Sequence, residues 1–560
     1  MTTQKGNDHT KEWKKIDSLV NKGLSQSALK EVDNLYKTVK AEGNTPQIVK
    51  TIIYKSKLVD MKEEDSYLKI FKIVDTEIVT AEAPLKNILH SVQAELLWRY
   101  YASNRYKFLN RSTTVDFKND DIATWDIKTL VTKIADHYLK SLEKSDVLKT
   151  SKIEDYSTIL NLEKGADLYR PTLYDFLAHR AIDYFSNDEP SISHPLDAFK
   201  IDNPDYFALP EEFIKMNFTT NDSLSFKYYA LKIMQDVVKF HINNYDLRPL
   251  IDVELKRLNF IRSNAEFDDK DTLYFKSLIK LEEKYQKDPA VADVAYQIAS
   301  QYYNSGTMYN PLQSDDYKWD FKKAIEKCNQ VIETFPKTDG AKNCMNLTER
   351  IKSTKINLIC ESFVPSQKHF LGQVSYTNVS KLYLRIVPAN YQKIKDERNK
   401  YKSTQDMLKA YISMSFDKSL SFDMVDDKDY QTHSAEIALP ELKKGYYIIL
   451  ASDNKDFSYK EGDVAYSTVM VTDLSYLTRR SNDGTYNIFV LNRNDGTPVA
   501  NAKIQTYYEE YNSLKRTYET KKWKSFEANQ DGFVEIPTEK NATYRSFNIC
   551  LLYTSPSTRD

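Results

Sequence analysis

Cysteine offers the widest range of chemistry in this sequence, and it is sparse. The chain has four cysteines, Cys328, Cys344, Cys360 and Cys550. A zinc knuckle or a dithiol redox motif needs two cysteines separated by two residues, and none of the four has such a neighbour. The sequence therefore predicts neither a zinc site nor a redox site of that kind.

Cys328 and Cys344 are candidates for a disulfide. The sequence predicts two helices, Phe321–Phe335 and Ala341–Ser353, joined by a turn that begins at Pro336. The two cysteines lie at equal separations from Pro336, and such residues face each other across an antiparallel helical hairpin. The alternative is that both are small buried apolar residues, as unpaired cysteines commonly are.

No motif of a catalytic or nucleotide-binding class occurs in the chain. H-E-x-x-H, G-x-S-x-G, G-x-x-x-x-G-K and G-x-G-x-x-G are missing, and only 12 glycines are available for phosphate-binding loops. The histidines are scattered singly, so each is expected to be a surface or packing residue rather than a base or a metal ligand. They are His9, His90, His137, His179, His194, His241, His369 and His433. The sequence predicts no catalytic residue and no cofactor.

A group of aspartates could offer oxygen ligands to calcium, a cation that needs several of them. Its members are Asp423, Asp426, Asp427 and Asp429. Their spacing matches no known calcium-binding loop. The favoured interpretation is a solvated hairpin tip, and no metal site is predicted.

Length and charge restrict the class of protein. At 560 residues the chain exceeds the roughly 250 to 300 residues at which a single core stops growing, so about three domains are expected. Lys and Arg total 79 and Asp and Glu total 80, which gives a net charge of -1 and no overall field that favours nucleic acid. No nucleic-acid partner is predicted.

The sequence offers no segment for crossing or entering a membrane. The richest apolar run, Tyr446–Ala451, is far shorter than the ~18 residues that a membrane-spanning helix needs. The start, MTTQKGNDHTKEWKK, has no apolar segment after its charges, so no signal peptide is predicted for the chain as written. Taken literally this indicates the cytoplasm; the alternative is an exported protein whose true beginning is missing.

Residues 1–353 show the helical period and predict an α-helical repeat-like region. In Ser27–Lys40 apolar residues recur every three or four positions, and Gly43–Pro46 ends that helix. The pattern resumes in a second helix from Ile48 and in a third from Leu68. Short antiparallel helix pairs stacked in succession are therefore expected.

The clearest repeat-like unit is Pro289–Pro336. It has a helix pair with small residues at the crossing and a proline after the second helix, and it resembles the tetratricopeptide (TPR) pattern of roughly 34 residues. Asn304–Trp319 is an insertion within it. We predict an irregular, TPR-like α-helical solenoid rather than a regular array. The proline-rich stretch Ser186–Pro210 is expected to be an ordered surface loop.

Around Lys355 the period changes from 3.6 to 2, which predicts an immunoglobulin-like β-sandwich over residues 354–474. Leu382, Leu384 and Ile386 alternate with their neighbours in the clearest strand. About seven strands are expected, which is usual for the class. A charged, helix-like insert, Tyr391–Tyr411, interrupts them.

Residues 475–550 predict a second sandwich. The strand Asn487–Leu491 runs into Asp495-Gly496-Thr497-Pro498, where glycine permits a positive φ and proline cannot donate to a ladder. A later turn at Asp531-Gly532 opens another strand. Strands at such short intervals are typical of a small antiparallel sandwich.

The second sandwich is expected to be truncated. Only about five of its strands can be counted before the chain stops, which leaves an edge open. Residues 551–560, LLYTSPSTRD, do not continue the pattern and are expected to be a non-native tail. The α + β chain is accordingly interpreted as a fragment.

The two turns carry a resemblance to a known family. The strand that ends in DGTPVANAKI, followed by a later Asp-Gly turn, resembles the second macroglobulin-like domain of bacterial alpha-2-macroglobulins. The resemblance covers Lys355 to about Asn548, and the helical front half is similar to extensions in one bacterial branch. It implies that both sandwiches are macroglobulin-type. The family-signature turn residues are Gly496, Pro498, Asp531 and Gly532.

The resemblance implies a function in protease inhibition. Members of this family are large envelope proteins with an exposed bait segment, and often with a thioester of the form C-x-E-Q. Cleavage of the bait makes the assembly collapse around the protease. In this sequence the residues after Cys328, Cys344 and Cys360 do not form that motif, and no bait segment is identifiable. This departure puts inhibition by the chain alone in doubt.

The implied assignment is the N-terminal scaffold portion of an alpha-2-macroglobulin-like endopeptidase inhibitor. Its expected partners are the other domains of the same full-length chain and, through missing C-terminal regions, target proteases. The resemblance places the full-length protein in the periplasm or cell envelope. One alternative is a cell-envelope interaction or adaptor protein with helical repeats and Ig-like modules. Another is an enzyme whose catalytic domain lies beyond residue 560.

Overall fold

An α-helical region precedes immunoglobulin-like β-sandwiches, so the predicted fold class is confirmed. The computed structural model describes residues 8–61, 66–109, 122–187, 198–222, 224–391, 394, 403–458, 462–482, 485–513, 516–537 and 547–552. Its packing divides into two compact units: residues 1–301 with 326–345, and residues 302–325 with 346–560. The predicted tail is residues 551–560: Leu551 and Leu552 end a strand, in which they pair with Ile504 and Lys503, and residues 553–560 lie outside the described residues. No helix of the described ranges is long and apolar enough to cross a membrane.

Helices occupy the chain up to Lys352, and one more lies between strands. In chain order they are α1 (Thr10–Asn21), α2 (Ser25–Ala41), α3 (Thr45–Asp60), α4 (Tyr67–Thr80), α5 (Leu85–Leu109), α6 (Ile127–Lys140), α7 (Ser145–Thr150), α8 (Ala166–Tyr169), α9 (Leu173–Phe185), α10 (Pro210–Phe213), α11 (Phe226–His241), α12 (Arg248–Asn264), α13 (Lys270–Tyr285), α14 (Val291–Gly306), α15 (Asp320–Thr334), α16 (Asp339–Lys352) and α17 (Thr404–Ile412).

The first helices end where the sequence signals predict. Gly23, with φ of 73°, follows α1 and donates its N–H to the carbonyl of Val20 at 2.9 Å, which satisfies a carbonyl at the helix end. Asn44 caps α3 by accepting from the N–H of Gln47. Their apolar faces share one core, formed by Trp13, Ile16, Ala28, Val32, Leu35, Val39, Ile48, Ile52, Leu58, Val74, Ile78, Ala81 and Leu89.

Helices α14 and α16, at the end of the helical region, cross at close range. A Cβ placed on Gly340 at the start of α16 would lie 2.4 Å from the backbone carbonyl of Ala292 in α14. Real Cβ atoms do not come so near to a backbone, so only glycine allows these two helices to approach to this distance.

The described part of Ser186–Pro210 is anchored to the core at a few points. Residues 188–197 lie outside the described residues; residues 202–205 are exposed, as expected of a surface loop, but Ile201 is fully buried and Phe207 is 5% exposed. A 3₁₀ turn over Pro204–Phe207 leads into α10. A buried arginine holds the backbone of this segment against the core.

That arginine is Arg257 in α12, which is fully buried together with Glu254. The two side chains form a bidentate ion pair, with Nε of Arg257 donating to Oε1 of Glu254 at 2.8 Å. The guanidinium also donates to the carbonyls of Tyr206 and Ala208, and it lies 4.1 Å from the ring centre of Phe213. The buried cation thus divides its hydrogen bonds between a carboxylate of its own helix and the backbone of the neighbouring segment.

The strands begin directly after the helices. They are β1 (Lys355–Cys360), β2 (Phe363–Val364), β3 (Phe370–Thr377), β4 (Lys381–Ala389), β5 (Lys418–Asp423), β6 (His433–Leu439), β7 (Gly445–Ser452), β8 (Val464–Val471), β9 (Leu474–Arg480), β10 (Tyr486–Asn492), β11 (Lys503–Asn512), β12 (Thr517–Glu527), β13 (Phe533–Ile536) and β14 (Phe547–Leu552).

The first sandwich packs a three-stranded sheet, in the order β1-β3-β6, on a five-stranded sheet, β2-β8-β7-β4-β5. Its pairings are antiparallel except for the short β2, which runs parallel to β8. Leu382, Leu384 and Ile386 are fully buried between the sheets, as their alternation predicts. Both sheets contribute alternate residues to this one core, which is the packing of a β-sandwich.

Helix α17 covers the outer face of the five-stranded sheet. Met407, Leu408 and Tyr411 of α17 pack against Val387 and Ile448, which point away from the main core. This explains why β7 is buried on both faces and has a nearly continuous apolar sequence. Of the insert predicted as helix-like over Tyr391–Tyr411, the described residues from Thr404 onward are helical and add a third layer.

The second sandwich packs the sheet β13-β10-β9 on the sheet β12-β11-β14. The strands contribute alternate residues to a shared core, and β9 leaves most of its length exposed. The core residues are Leu474, Ile488, Val490, Ala502, Ile504, Ala528, Val534 and Ile536.

Replacement of Arg257 by Met should strongly destabilise the helical unit. The change leaves the Glu254 carboxylate buried without its cation and two backbone carbonyls without a donor, and we expect the free energy of unfolding to fall by roughly 3 to 5 kcal/mol. Urea unfolding followed by circular dichroism at 222 nm measures this. Lys215→Ala is the control, since it removes the exposed Lys215–Glu212 pair and should cost below about 0.5 kcal/mol. Equal effects of the two changes would contradict the role of Arg257.

Candidate functional site

The first signature turn is a closed hydrogen-bonded loop after β10. The N–H of Gly496 donates to the carbonyl of Asn492 at 2.8 Å, and the N–H of Asn492 donates to the carbonyl of Thr497 at 2.7 Å. Gly496 has φ of 72°, a backbone angle that residues other than glycine rarely adopt. The carboxylate of Asp495 accepts from both the N–H and the hydroxyl of Thr497, and these bonds lower the pKa of Asp495.

The second signature turn is organised by Asn529. Its side-chain oxygen accepts from the N–H groups of Asp531 and Phe533, each at 2.9 Å, and its carbonyl accepts from Gly532 at 3.0 Å. Gly532 has φ of 69°. Asn529 was not among the predicted site residues, although an Asn two residues before an Asp-Gly pair is a recognised turn signal.

The two signature turns meet at β10. The N–H of Val490 donates to the carbonyl of Gly532 at 2.8 Å, and the carbonyl of Val490 accepts from the N–H of Val499 at 2.9 Å. A Cβ on Gly532 would lie 2.4 Å from the carbonyl oxygen of Val490 and 3.4 Å from the Cα of Pro498. We call Val490, Pro498, Val499 and Gly532 the turn junction. Sequence spacing alone does not show that these two turns touch.

The two candidate cysteines of the disulfide lie side by side. Cys328 in α15 and Cys344 in α16 are both fully buried, and the nearby Cys328 thiol raises the pKa of Cys344. Both are reduced in this structure. The pairing stays a prediction, since the geometry is compatible with either two buried thiols or a bond between them.

The prediction of a solvated hairpin tip at the aspartate group is wrong. Strand β5 pairs with β4 in the five-stranded sheet and β6 pairs with β3 in the other sheet, so residues 424–432 cross between sheets instead of forming a hairpin. Asp429 is 1% exposed and accepts from the N–H of Gln431. Only Asp429 and Gln431 of this crossover are buried, whereas Val425, Asp427 and Lys428 stay exposed. The crossover exists because each strand finds its partner in a different layer.

The aspartates of this crossover do not converge. Asp426 pairs with Lys428 at 2.6 Å, Asp427 with Lys318 at 3.3 Å, and Asp429 lies 3.0 Å from Nε2 of His433. Within the described residues, no group of three or more His, Cys, Asp or Glu side chains could hold a metal ion. The calcium alternative therefore gains no support from their positions.

Two histidines that are far apart in sequence form a pair. Nδ1 of His90 in α5 lies 2.9 Å from Nδ1 of His137 in α6, so one ring donates to the other. Burial lowers the pKa of each imidazole to about 4, and nearby positive charge adds to the effect. His90 and His137 are therefore in contact although they are far apart in the sequence. Their spacing along the chain does not predict this contact.

Another buried histidine, His241, is one of three hydrogen-bonded side chains that superficially resemble a catalytic triad. The carboxylate of Asp175 accepts from the hydroxyl of Thr172 at 2.8 Å and lies 2.6 Å from Nε2 of His241. A triad needs the imidazole between the hydroxyl and the carboxylate, whereas here the carboxylate lies in the middle. Thr172 and Asp175 form the capping box of α9, so the arrangement is that of a helix start.

A tyrosine and two carboxylates connect three helices of the helical unit. The Tyr169 hydroxyl lies 3.1 Å from Oδ2 of Asp293 and 3.4 Å from Oδ2 of Asp339. Burial raises the pKa of Asp293, and the charges of Asp339 and Asp252 add to the rise. One hydroxyl shared by two acidic groups joins α8, α14 and α16 but presents no nucleophile and base to a cavity.

Open cavities lie between helices in the described part of the helical unit. One, of about 430 Å³, lies between α2, α3 and α4; Ile52 and Ile73 form part of its apolar floor, and Lys55 and Lys72 lie on its rim. Another, of about 530 Å³, lies between α7, α9 and α11. There Nζ of Lys149 lies 4.8 Å from the ring centre of Tyr174 and 5.3 Å from that of Phe240, which are cation–π distances.

Comparison with known proteins gives a limited result. No protein-family model matches the chain. No curated protein matches it. Two solved structures of native alpha-2-macroglobulin from Escherichia coli are similar to it. One spans domains NIE-MG1, with 13% identity, a TM-score of 0.24, and coverage of 34% of this chain and 90% of that one. The other spans domains MG0-NIE-MG1, with 12% identity, a TM-score of 0.25, and coverage of 36% of this chain and 64% of that one.

The two signature glycines should differ in their tolerance of alanine. Both have a positive φ, so each change costs roughly 1 to 2 kcal/mol of backbone strain. Only Gly532→Ala also drives a Cβ into the Val490 carbonyl, and we expect a total cost of roughly 3 kcal/mol or more. Gly496→Ala is the matched control because nothing lies within 4 Å of its Cβ position.

Hydrogen–deuterium exchange of peptides that cover β10 and β13 measures this difference. Faster exchange in both strands is expected for Gly532→Ala, with a much smaller change for Gly496→Ala. Equal exchange in the two variants would show that the turn junction does not constrain the sandwich.

The His90–His137 pair should make the helical unit sensitive to acid. The unfolded chain takes up protons at these rings below about pH 6.5, whereas the folded rings stay neutral down to about pH 4. The free energy of unfolding therefore falls as pH decreases from 6.5 to 4, by about 2 kcal/mol in total after allowance for partial exposure.

Urea unfolding at a series of pH values measures this slope. His90→Gln with His137→Gln should flatten it, because the groups that bind the extra protons are gone. His369→Gln is the control for loss of an exposed imidazole. A double variant with the same slope as the wild type would assign the acid sensitivity to other residues.

Proposed function

We propose that this chain is an N-terminal scaffold portion of an alpha-2-macroglobulin-like endopeptidase inhibitor, a protein that presents a bait and traps the protease that cuts it. The observation that carries the proposal is the turn junction. The residues of the family resemblance, Gly496, Pro498, Asp531 and Gly532, belong to two turns that meet at one β-strand. They are thus explained as parts of one structural feature.

The scaffold role follows from what a trap requires. A trap must keep its conformation until one bond is cut, so the modules that bear the load need to be rigid while their mutual contacts can rearrange. The first sandwich supports this role with a dry core and a covering helix, α17. The second supports it with a backbone hydrogen-bonded junction between its turns. These features favour a mechanical role over catalysis.

The proposal assigns different roles to this chain and to the rest of the protein. Contact with target proteases is assigned to a bait region elsewhere in the full-length protein, since no bait segment or thioester motif is present in this sequence. The periplasm or cell envelope is the proposed location. The chain by itself is proposed to be neither an inhibitor nor an enzyme.

A second candidate function is that of an adaptor in the cell envelope. The cavity between α2, α3 and α4 favours it, because an apolar floor with lysines at its rim is a surface on which an extended segment of another protein could lie. The inhibitor and the adaptor differ in one respect that can be tested: only the former needs a cleavable segment in the complete protein.

A protease assay with the complete reading frame tests the proposal. The purified full-length protein is incubated with a panel of endopeptidases, and hydrolysis of a large protein substrate is compared with that of a small peptide substrate. A trapped protease cannot reach the large substrate, so we expect loss of that activity only, together with one specific cut in the full-length protein. The chain of residues 1–560 is the matched control and should leave both activities unchanged.

Two results would contradict the inhibitor. One is a full-length protein that leaves hydrolysis of the large substrate unchanged by every endopeptidase of the panel. The other is equal loss of both activities, since that indicates a blocked catalytic site rather than a trap. Inhibition by residues 1–560 alone would refute the assignment of this portion as scaffold.

A further inference from the structure

The buried thiols of α15 and α16 lie in a setting that favours a covalent bond. Cys328 and Cys344 are both fully buried. They lie on two consecutive helices, and the two thiols are near enough for Cys328 to influence the pKa of Cys344 through a hydrogen bond. Two buried thiols at hydrogen-bonding distance need only a small adjustment to reach the geometry of a disulfide.

Contacts on both helices hold this arrangement in place. Nζ of Lys327, next to Cys328, lies 3.0 Å from Oε2 of Glu282 in α13. Gly340, one turn before Cys344, lies against the backbone of Ala292 in α14. Residues close to each cysteine are therefore held by the neighbouring helices α13 and α14, so the position of the pair does not depend on the short turn between α15 and α16 alone.

The Cys344 thiol is protected in its neutral form. The hydrogen bond that it donates to Cys328, followed by burial, raises the pKa of the Cys344 thiol. Disulfide exchange needs a thiolate and access to the oxidant, so the enclosed pair should react slowly once the helices have packed. Exchange is expected while the hairpin is still open, either during folding or in transient openings.

We propose that Cys328 and Cys344 form a disulfide when the chain folds in the presence of an oxidised thiol, and that this bond staples α15 to α16. The inference goes beyond the proposed function, because it concerns the covalent state of the helical region and holds for an inhibitor and for an adaptor alike.

The chemical step is thiol–disulfide exchange. The thiolate of one cysteine attacks a disulfide of the form R–S–S–R, forms a mixed disulfide and releases one R–S⁻. The thiolate of the second cysteine then attacks the protein sulfur of the mixed disulfide and releases the other R–S⁻. The pair loses two electrons, the small disulfide gains them, and the two thiol protons leave with two molecules of R–SH.

The bond should stabilise the helical unit mainly through the unfolded chain. It closes a ring over residues 328–344, which restricts the unfolded ensemble, while the folded helices already hold the sulfur atoms together. We expect the thermal midpoint of the helical unit to rise by roughly 5 to 10 °C on oxidation and to return on reduction.

Refolding of the full chain in a mixture of reduced and oxidised glutathione tests the proposal. After alkylation and digestion with trypsin under non-reducing conditions, mass spectrometry should find peptide 328–337 joined to peptide 343–350, with the mass of the two peptides less two hydrogens. The circular-dichroism midpoint of the same sample should exceed that of the sample treated with dithiothreitol.

Matched variants separate this bond from other pairings of the four cysteines. Cys360→Ser should keep both the joined peptide and the rise in midpoint, whereas Cys344→Ser should lose both. If Cys344→Ser does not fold, the comparison of oxidised with reduced wild-type chain stands by itself. Two alkylated, unjoined peptides after oxidative refolding, a link from either cysteine to Cys360 or Cys550, or a joined peptide with an unchanged or lower midpoint would overturn the proposal.

Discussion

The close approach of Gly532 to the backbone of Val490 is the constraint on which the second sandwich depends. It lets two turns that are separated in sequence share one strand, so that β10 is held by hydrogen bonds from both. A side chain at this position would enter the Val490 carbonyl, and the turns would have to separate. The residues that suggest a family in the sequence therefore have a mechanical reason to be glycine and proline, which does not depend on any binding or catalytic role.

The helical unit depends on a related constraint: its buried polar groups need hydrogen-bond partners, because burial without a partner lowers stability. Arg257 has an ion-pair partner in Glu254 and two backbone acceptors, and it thereby brings an irregular, proline-rich segment into the core. His90 and His137 satisfy each other in the same way. Loss of either partner would leave a buried polar group without its hydrogen bond, so these pairs favour the observed packing of the helices.

A scaffold interpretation agrees with the location of these features. The close contacts and the hydrogen-bonded buried groups lie inside the units, where they add rigidity. The hydrogen-bonded side chains of Thr172, Asp175 and His241 have the carboxylate in the middle, which is the wrong order for a catalytic triad. The thiol pair adds a position at which the redox conditions of a compartment could change stability without altering the fold. Rigidity within modules is what the proposed trap and the proposed adaptor have in common, so these features do not distinguish between them.

The sequence by itself determined the class of each region and many of its boundaries. The change of period near Lys355, the burial of Leu384 within its alternating strand, and the helix end at Gly43 are consequences of backbone sterics and of side-chain burial over a few residues, and these can be inferred locally. Only the tertiary structure decided which distant residues meet. The aspartate segment crosses between sheets because β5 and β6 pair in different layers, and the environment of Asp429 follows from that choice. Such contacts depend on how whole elements pack to exclude water, and no local pattern records the outcome of that packing.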